Sequence, residues 1–272
     1  FFIYPYRKNI IAKLLAVEAL FMLPALALAL AKGESSSAVA FALVIILMLA
    51  LALPFALRKG GNKNFFAREG LLTVGIGWIL VSAFGALPFC ISGAIPNYID
   101  CFFETVSGFT TTGATILEDI EQLPMSILYW RSFTHWLGGM GVLMFMMILS
   151  PLTGKDGGEN MHLLRAESPG IKISKLVPRM KRSASILYAI YVFLTLLQVV
   201  LLLIGRVPLF DSVTIAFGTA GTGGFAIKND SLASYSAYAQ WVTTVFMIVF
   251  SVNFNIYFLV LLKQIKKVFR DE

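Results

Sequence analysis

DCFFETVSGFTTTGAT, residues 100–115, is the stretch of this sequence that decides the fold. It opens on Asp100, continues with about ten mostly apolar residues and ends in a threonine cluster with Gly113. A helix needs about 20 residues to cross a bilayer, so this run fits a re-entrant half-helix. We expect Asp100 to cap its N-terminus. Because lipid cannot hydrogen-bond to non-helical backbone, a Thr/Gly stretch at membrane depth predicts a pore loop.

A second stretch, DSVTIAFGTAGTGGF at residues 211–225, repeats this design. It also opens on an aspartate, Asp211, which we expect to cap a second half-helix, and Gly223 follows Gly113 by 110 residues. Small residues also occur where membrane helices pack closely, which would account for one such stretch without a pore. Two matched stretches in two matched helical hairpins favour a pair of pore loops.

The composition places the chain in a membrane. Hydrophobic residues make up 58% of it, charged residues only 14%, and the mean hydropathy is +0.80. A soluble core cannot hide that much apolar surface. The net charge of +7 does not indicate nucleic-acid binding, since the basic residues are confined to particular loops. Six segments are apolar and long enough to span a bilayer: Ile10 to Ala31, Ala38 to Leu57, Leu71 to Ile91, Ile127 to Leu149, Ser183 to Ile204 and Ala237 to Leu262.

The charge distribution predicts the orientation. With a cytoplasmic N-terminus, the inner segments hold 18 of the 22 Lys and Arg residues, as the positive-inside rule requires. The outer loop of residues 93–124 has no Lys or Arg, and it carries Asp100, Glu104, Glu118, Asp119 and Glu121. Either this is an ordinary solvated loop, or it is a negative vestibule that concentrates cations by its summed field.

The chemistry of the two loops is that of an ion filter. An extended backbone turns its carbonyls toward an axis, where they replace the water shell of a dehydrated monovalent cation. The negative C-terminal end of each half-helix adds to the same attraction. No catalytic residue is expected. We predict that the filter consists of Thr111, Thr112, Gly113, Gly221, Thr222 and Gly223.

At these residues the sequence resembles the membrane subunit of the Trk/Ktr/HKT potassium-uptake superfamily, in its TrkH-like branch. The stretches that carry the resemblance are residues 102–115, WLGGMG at 136–141, RAESPG at 165–170 and GGF at 223–225. It implies an all-α membrane protein built from repeats of helix, re-entrant pore helix, filter loop and helix, related to potassium channels. The implied divisions are a leading helix pair at 1–68, a first pore repeat at 69–152, a cytoplasmic loop at 153–182 and a second pore repeat at 183–272.

The resemblance also implies function and partners. It predicts potassium uptake across the bacterial cytoplasmic (inner) membrane, by a gated channel or by sodium- or proton-coupled symport. The resemblance implies that the filter ion is potassium, bound at Thr111, Thr112, Gly221 and Thr222, and that no other cofactor is needed. The family has four repeats and this chain has two, so either it is a partial copy or two chains assemble. A homodimer of the full protein and a cytosolic, nucleotide-binding TrkA-like subunit are implied. The loop 153–182 would be the docking surface for that subunit, or would lie against anionic lipid headgroups.

Two alternative functions remain open. A different helical transporter could bind its substrate at broken helices. The stretch YWRSFTHW at 129–136 resembles part of rhomboid intramembrane proteases, yet no nucleophilic Gly-x-Ser follows on a later helix. We therefore expect no enzyme. Arg131 is expected to be an outer interfacial anchor and His135 a hydrogen-bonded packing residue, with a proton-coupling role for His135 as the alternative.

Smaller features carry further expectations. The glycines at 138, 139 and 141 are expected to allow close packing, and Glu18 to snorkel or pair near a helix end. Asn253 and Asn255 are expected to bridge helices. Cys90 and Cys101 are close enough in sequence that a disulfide between them remains an alternative.

Overall fold

The computed structural model describes residues 5–56, 67–141, 180–252 and 254–261, and within these ranges the regular structure is helical throughout. The loop 153–182, which is expected to be cytoplasmic, lies outside the described residues up to Arg179, as does Asn253, and nothing is described for the side chain of Asn255. The helices are α1 (Pro5–Phe21), α2 (Leu23–Lys32), α3 (Ser35–Ala56), α4 (Ala67–Ile91), α5 (Tyr98–Phe109), α6 (Met125–Gly139), α7 (Met180–Ile204), α8 (Leu209–Ala220), α9 (Ala237–Ser251) and α10 (Phe254–Leu261).

Four segments of the described chain are long and apolar enough to cross a membrane: Asn9–Lys32, Ser35–Phe55, Leu72–Ile91 and Ser185–Ile204. The first combines α1 and α2. Pro24 begins the first turn of α2, but the backbone N–H of Met22 donates to the Glu18 carbonyl and that of Leu26 to the Met22 carbonyl. The chain therefore continues as one span.

The other two expected spans differ from the prediction. Helix α6 ends at Gly139, followed by Gly141 with a left-handed φ of 72°, well before Leu149. The expected sixth span is broken at Val252, whose extended backbone interrupts the helical hydrogen-bond ladder between α9 and α10. Single uninterrupted helices over 127–149 and 237–262 were therefore wrong for the described parts of these segments.

The two predicted hairpins are present, each with a half-length helix between two longer ones. Helices α5 and α8 have 12 residues each, about 18 Å at 1.5 Å per residue, which is too short for a bilayer about 30 Å thick. Helix α6 packs against both of them. The C-terminal helix of the first hairpin thus lies between the two re-entrant helices.

The starts of the half-helices correct the expected capping. Asn97 caps α5 by accepting a hydrogen bond from the Ile99 N–H at 3.1 Å, and Pro208 precedes α8. Asp100 and Asp211 therefore lie inside the first turn, three residues after the cap. A carboxylate there still interacts favourably with the helix dipole.

A large cluster of buried apolar side chains joins α1, α3, α4 and α6, and aromatic rings contact one another within it. Trp130 of α6 lies edge-on to Phe41 and Phe109, and its indole N–H donates to the Gly85 carbonyl at 2.9 Å.

Cys90 and Cys101 are free thiols, so the alternative of a disulfide between them was wrong.

Candidate ion-filter site

The first filter loop folds back over the end of α5. The N–H groups of Thr111 and Thr112 donate to the carbonyls of Gly108 and Ser107 at 3.0 and 2.9 Å. Thr111 and Gly113 have left-handed φ angles of 55° and 75°. These angles let the chain reverse without continuing the helix.

The second filter loop has the same shape after α8. The Thr222 N–H donates to the Thr219 carbonyl at 2.8 Å, and the Gly224 N–H to the Gly218 carbonyl at 3.1 Å. Left-handed φ angles occur at Thr222 and Gly224, at 59° and 77°.

The structure changes the correspondence between the loops. Since α5 and α8 are equal in length, Thr111 matches Thr222 and Gly113 matches Gly224. The expected match of Gly113 with Gly223 was therefore wrong by one residue. Sequence reasoning missed Gly224, although aligning Asp100 with Asp211 would have found it.

The two loops lie side by side. A Cβ atom on Gly113 would overlap the carbonyl oxygen of Gly223, and one on Gly223 would overlap the carbonyl oxygen of Thr111. All six predicted filter residues lie on these adjoining loops. Within the described ranges, the carbonyls of Thr111, Thr112, Gly113, Gly221, Thr222 and Gly223 accept no protein hydrogen bond. Such carbonyls are available to a cation.

A buried ion pair between Arg131 and Glu104 contacts both filter loops. Arg131 Nε donates to Glu104 Oε1 at 2.5 Å, and both side chains are almost fully buried. The expected roles of Arg131 as an outer interfacial anchor and of Glu104 as a vestibule charge were therefore wrong. An arginine within an apolar span needs a buried partner, and this rule could have suggested that Arg131 contacts a carboxylate, without indicating which one.

His135 supports the second loop. Its Nε2 accepts a hydrogen bond from the Gly223 N–H at 3.1 Å, and its ring centroid lies 4.8 Å from that of Phe225. The imidazole therefore contacts filter backbone, whereas a protease base would contact a serine hydroxyl. Gly138 and Gly139 allow the close packing expected of them, because Cβ atoms there would overlap the Phe109 carbonyl and the Tyr191 hydroxyl.

Glu18 lies next to this region, close to Gly85 and inside the apolar segment Asn9–Lys32. Its side chain is buried, and neither carboxylate oxygen has a hydrogen-bond partner among the described residues. The expectation that Glu18 would snorkel or pair was therefore wrong for the part of the chain that the structure describes.

The outer loops of the two repeats are joined by Asn229. Its Nδ2 donates to Asp119 Oδ1 at 2.8 Å, its Oδ1 accepts from the Ile120 N–H at 2.8 Å, and its backbone N–H donates to Glu121 Oε1 at 3.1 Å. The Asn229 hydrogen bond lowers the pKa of Asp119. Glu118, Asp119 and Glu121 are solvent-exposed, so the surface of this loop retains negative charge.

Comparisons with known proteins agree with this architecture. The family model TrkH, described as "Cation transport protein", matches residues 36–272. The Trk system potassium uptake proteins TrkH of Vibrio parahaemolyticus and Escherichia coli K12 are each 36% identical to this chain, over 71% and 75% of it and over 40% and 42% of their own lengths.

A solved structure is also similar. The crystal structure of the potassium transporter TrkH from Vibrio parahaemolyticus superimposes with a TM-score of 0.75 and 27% identity, covering 93% of this chain and 51% of that one. The chain spans about 40% of the length of the curated relatives it matches. Since the family model matches well over half of the chain, this protein belongs to the TrkH family of cation transport proteins.

Proposed function

We propose that this chain supplies two of the four sides of a potassium-uptake pore. The observation that carries the proposal is a pair of adjoining loops, each following a half-length helix, in which the carbonyls of residues 111–113 and 221–223 have no hydrogen-bond partner among the described residues. The filter residues are Thr111, Thr112, Gly113, Gly221, Thr222 and Gly223, and Gly224 joins them as the counterpart of Gly113. The similar TrkH proteins are named for potassium uptake, which supports potassium as the ion.

Two further repeats complete the filter in this proposal. Two loops line only part of a cation's coordination sphere, whereas potassium filters surround the ion with carbonyls. The other two repeats come from the same full-length protein or from another chain, and the full protein forms a homodimer. Its cytosolic partner is a TrkA-like nucleotide-binding subunit, which docks on the basic loop 153–182.

The proposed location is the bacterial inner membrane, with a cytoplasmic N-terminus. The distribution of 18 of 22 basic residues supports this orientation. The exposed acids of the outer loop then face the side from which potassium enters. Transport requires no covalent step, because the filter acts by replacing water around the ion.

Gly113→Ala tests the filter assignment. Its Cβ would overlap the Gly223 carbonyl in addition to straining a φ of 75°. We expect this substitution to lower potassium uptake by the full-length protein at least about tenfold, because one misplaced loop disrupts the arrangement of carbonyls around the ion. The measurement is growth at low potassium, and potassium uptake, in bacteria that lack their own uptake systems.

Gly93→Ala is the matched control. Gly93 has nearly the same φ, 76°, but nothing lies within 4 Å of a Cβ there. This variant carries the backbone strain alone, outside the filter, and we expect uptake close to wild type. Normal uptake by Gly113→Ala at normal membrane levels would contradict the filter assignment.

A further inference from the structure

Two side chains of α6, one helical turn apart, reach the filter loop of the other repeat. Arg131 Nη1 donates to the Ala226 carbonyl at 2.7 Å, and its guanidinium carbon lies 3.8 Å from the centroid of the Phe225 ring. His135 Nε2 accepts from the Gly223 N–H at 3.1 Å. Helix α6 belongs to the first repeat, yet it holds the second filter loop from behind.

Glu104 connects the same arginine to the first filter loop. Its Oε1 accepts from Arg131 Nε at 2.5 Å and from Thr115 Oγ1 at 2.9 Å, and its Oε2 accepts from Thr115 Oγ1 and the Ile116 N–H, both at 3.1 Å. Thr115 and Ile116 follow shortly after the filter segment 111–113. Glu104 and Arg131 together form a continuous set of contacts from one filter loop to the other.

The contacts of Glu104 and Arg131 are suited to fixing the position of one filter loop relative to the other. Buried charges are costly to remove from water, so a buried pair is retained only with well-placed partners, and it adds little net stability. Here the partners are mainly groups of the two loops. Displacing one loop would leave a buried charge without its hydrogen bonds, which strongly favours one spacing.

We propose that Glu104, Arg131 and His135 are positioning residues that set the spacing of the two filter loops and thereby the discrimination between potassium and sodium. The inference rests on the proposed function. Selectivity in a carbonyl cage depends on cavity size and on the number and field of the carbonyls, so a relative shift of the loops changes the ratio of the two ions. The three side chains act through the backbone of the loops.

The experiment measures potassium and sodium fluxes separately under identical gradients, with the full-length protein reconstituted in lipid vesicles. Glu104→Gln keeps the size of the side chain and removes its charge, and His135→Gln alters one hydrogen bond without leaving a buried charge unpaired. We expect each variant to raise the sodium-to-potassium flux ratio about fivefold or more, because buried hydrogen bonds to the loop backbone are disturbed. Arg206→Gln removes an exposed positive charge after α7 and should leave the ratio at the wild-type value.

The ratio separates positioning from general damage. A purely structural role lowers both fluxes in proportion, and an unchanged ratio in Glu104→Gln and His135→Gln overturns the inference. If Glu104→Gln does not reach the membrane, His135→Gln decides by the same ratio. Glu104→Asp, which keeps the charge, should fall between wild type and Glu104→Gln. A wild-type protein that carries no potassium would contradict the proposed function instead.

Discussion

Asn229 joins the outer loops of the two repeats through both ends of its carboxamide. It donates to the Asp119 carboxylate and accepts from the Ile120 N–H, so one side chain holds the other repeat's loop at two points. The donated bond favours the charged form of Asp119, which is why the pKa of that carboxyl is lowered. The contact therefore depends on pH in a defined direction.

Asn229→Ala should lower the thermal unfolding midpoint at pH 7 by roughly 1 to 2 °C, because both contacts disappear. A carboxyl with a lowered folded-state pKa contributes stability above its unfolded pKa, about 3.9, and loses it as pH falls through the folded value. The difference between wild type and variant should therefore narrow below about pH 4. The hydrogen bond from the Ile120 N–H does not titrate, so part of the stability difference between wild type and variant should persist at low pH.

Thermal unfolding scans of the detergent-purified protein across this pH range check the prediction. Asn229→Asp serves as a second variant, because a carboxylate at this position would face Asp119 and Glu121. It should be less stable than Asn229→Ala at pH 7 and recover as the acids are protonated. A gap between wild type and Asn229→Ala that stays constant with pH would show that Asp119 does not contribute through its charge.

The half-length helices and their loops could be predicted from sequence because they are local features. Ten apolar residues cannot span a bilayer, and a Thr/Gly cluster that follows them at membrane depth must lie in a protein-enclosed or watery cavity. The register between the repeats was harder, since Gly223 and Gly224 adjoin, and it is decided by the spacing from Asp100 and Asp211 and by the equal lengths of α5 and α8. The break at Val252 has no proline or glycine to signal it.

The long-range side-chain contacts of the site could not be predicted from the sequence. Glu104 lies 27 residues before Arg131, on α5 and within the acid-rich segment 93–124, and nothing local indicates which of its carboxylates the arginine contacts. The same holds for His135, whose partner Gly223 is 88 residues away. These contacts depend on how α6 packs between α5 and α8, and periodicity within one helix does not contain that information.

Packing of α4 against its neighbours depends on Gly85. A Cβ there would meet Glu18 Oε1 at 2.9 Å and side-chain carbons of Phe109 and Thr105 at 3.0 Å. Gly85→Ala should therefore destabilise the protein by about 1 to 3 kcal/mol through overpacking. The measurement is the thermal unfolding midpoint of the purified protein in detergent.

Gly75 in the same helix provides the control, because nothing lies within 4 Å of a Cβ at that position. Gly75→Ala should be neutral or should raise the midpoint, since alanine favours a helix over glycine by up to about 1 kcal/mol. Equal shifts in the two variants would indicate that helix propensity, and not the contact with Glu18 and the pore helix, determines the outcome at Gly85.

Across the whole chain, exposed acidic residues lie on one side of the filter loops and basic residues are concentrated in the segments assigned to the other side. Both distributions indicate the same direction of cation entry. Beyond the filter residues, the two repeats are joined by Asn229, which contacts Asp119 and Glu121 in the region that carries the exposed acids. The basic residues concentrate in segments assigned to the opposite side. A cation that enters from the acidic side would meet the filter first, before any of the basic loops.

This arrangement predicts the membrane topology in a form that labelling can test. In a full-length protein in which every cysteine, including Cys90 and Cys101, is replaced, Glu118→Cys should react with a membrane-impermeant maleimide in intact cells, because Glu118 is exposed in the loop expected on the outer side. Lys59→Cys, in the basic segment between the second and third spans, should react only after the membrane is permeabilised. Potassium uptake by both variants confirms that the labelled proteins are folded. Labelling of Lys59→Cys in intact cells, with Glu118→Cys protected, would reverse the orientation and place the acidic loop on the cytoplasmic side.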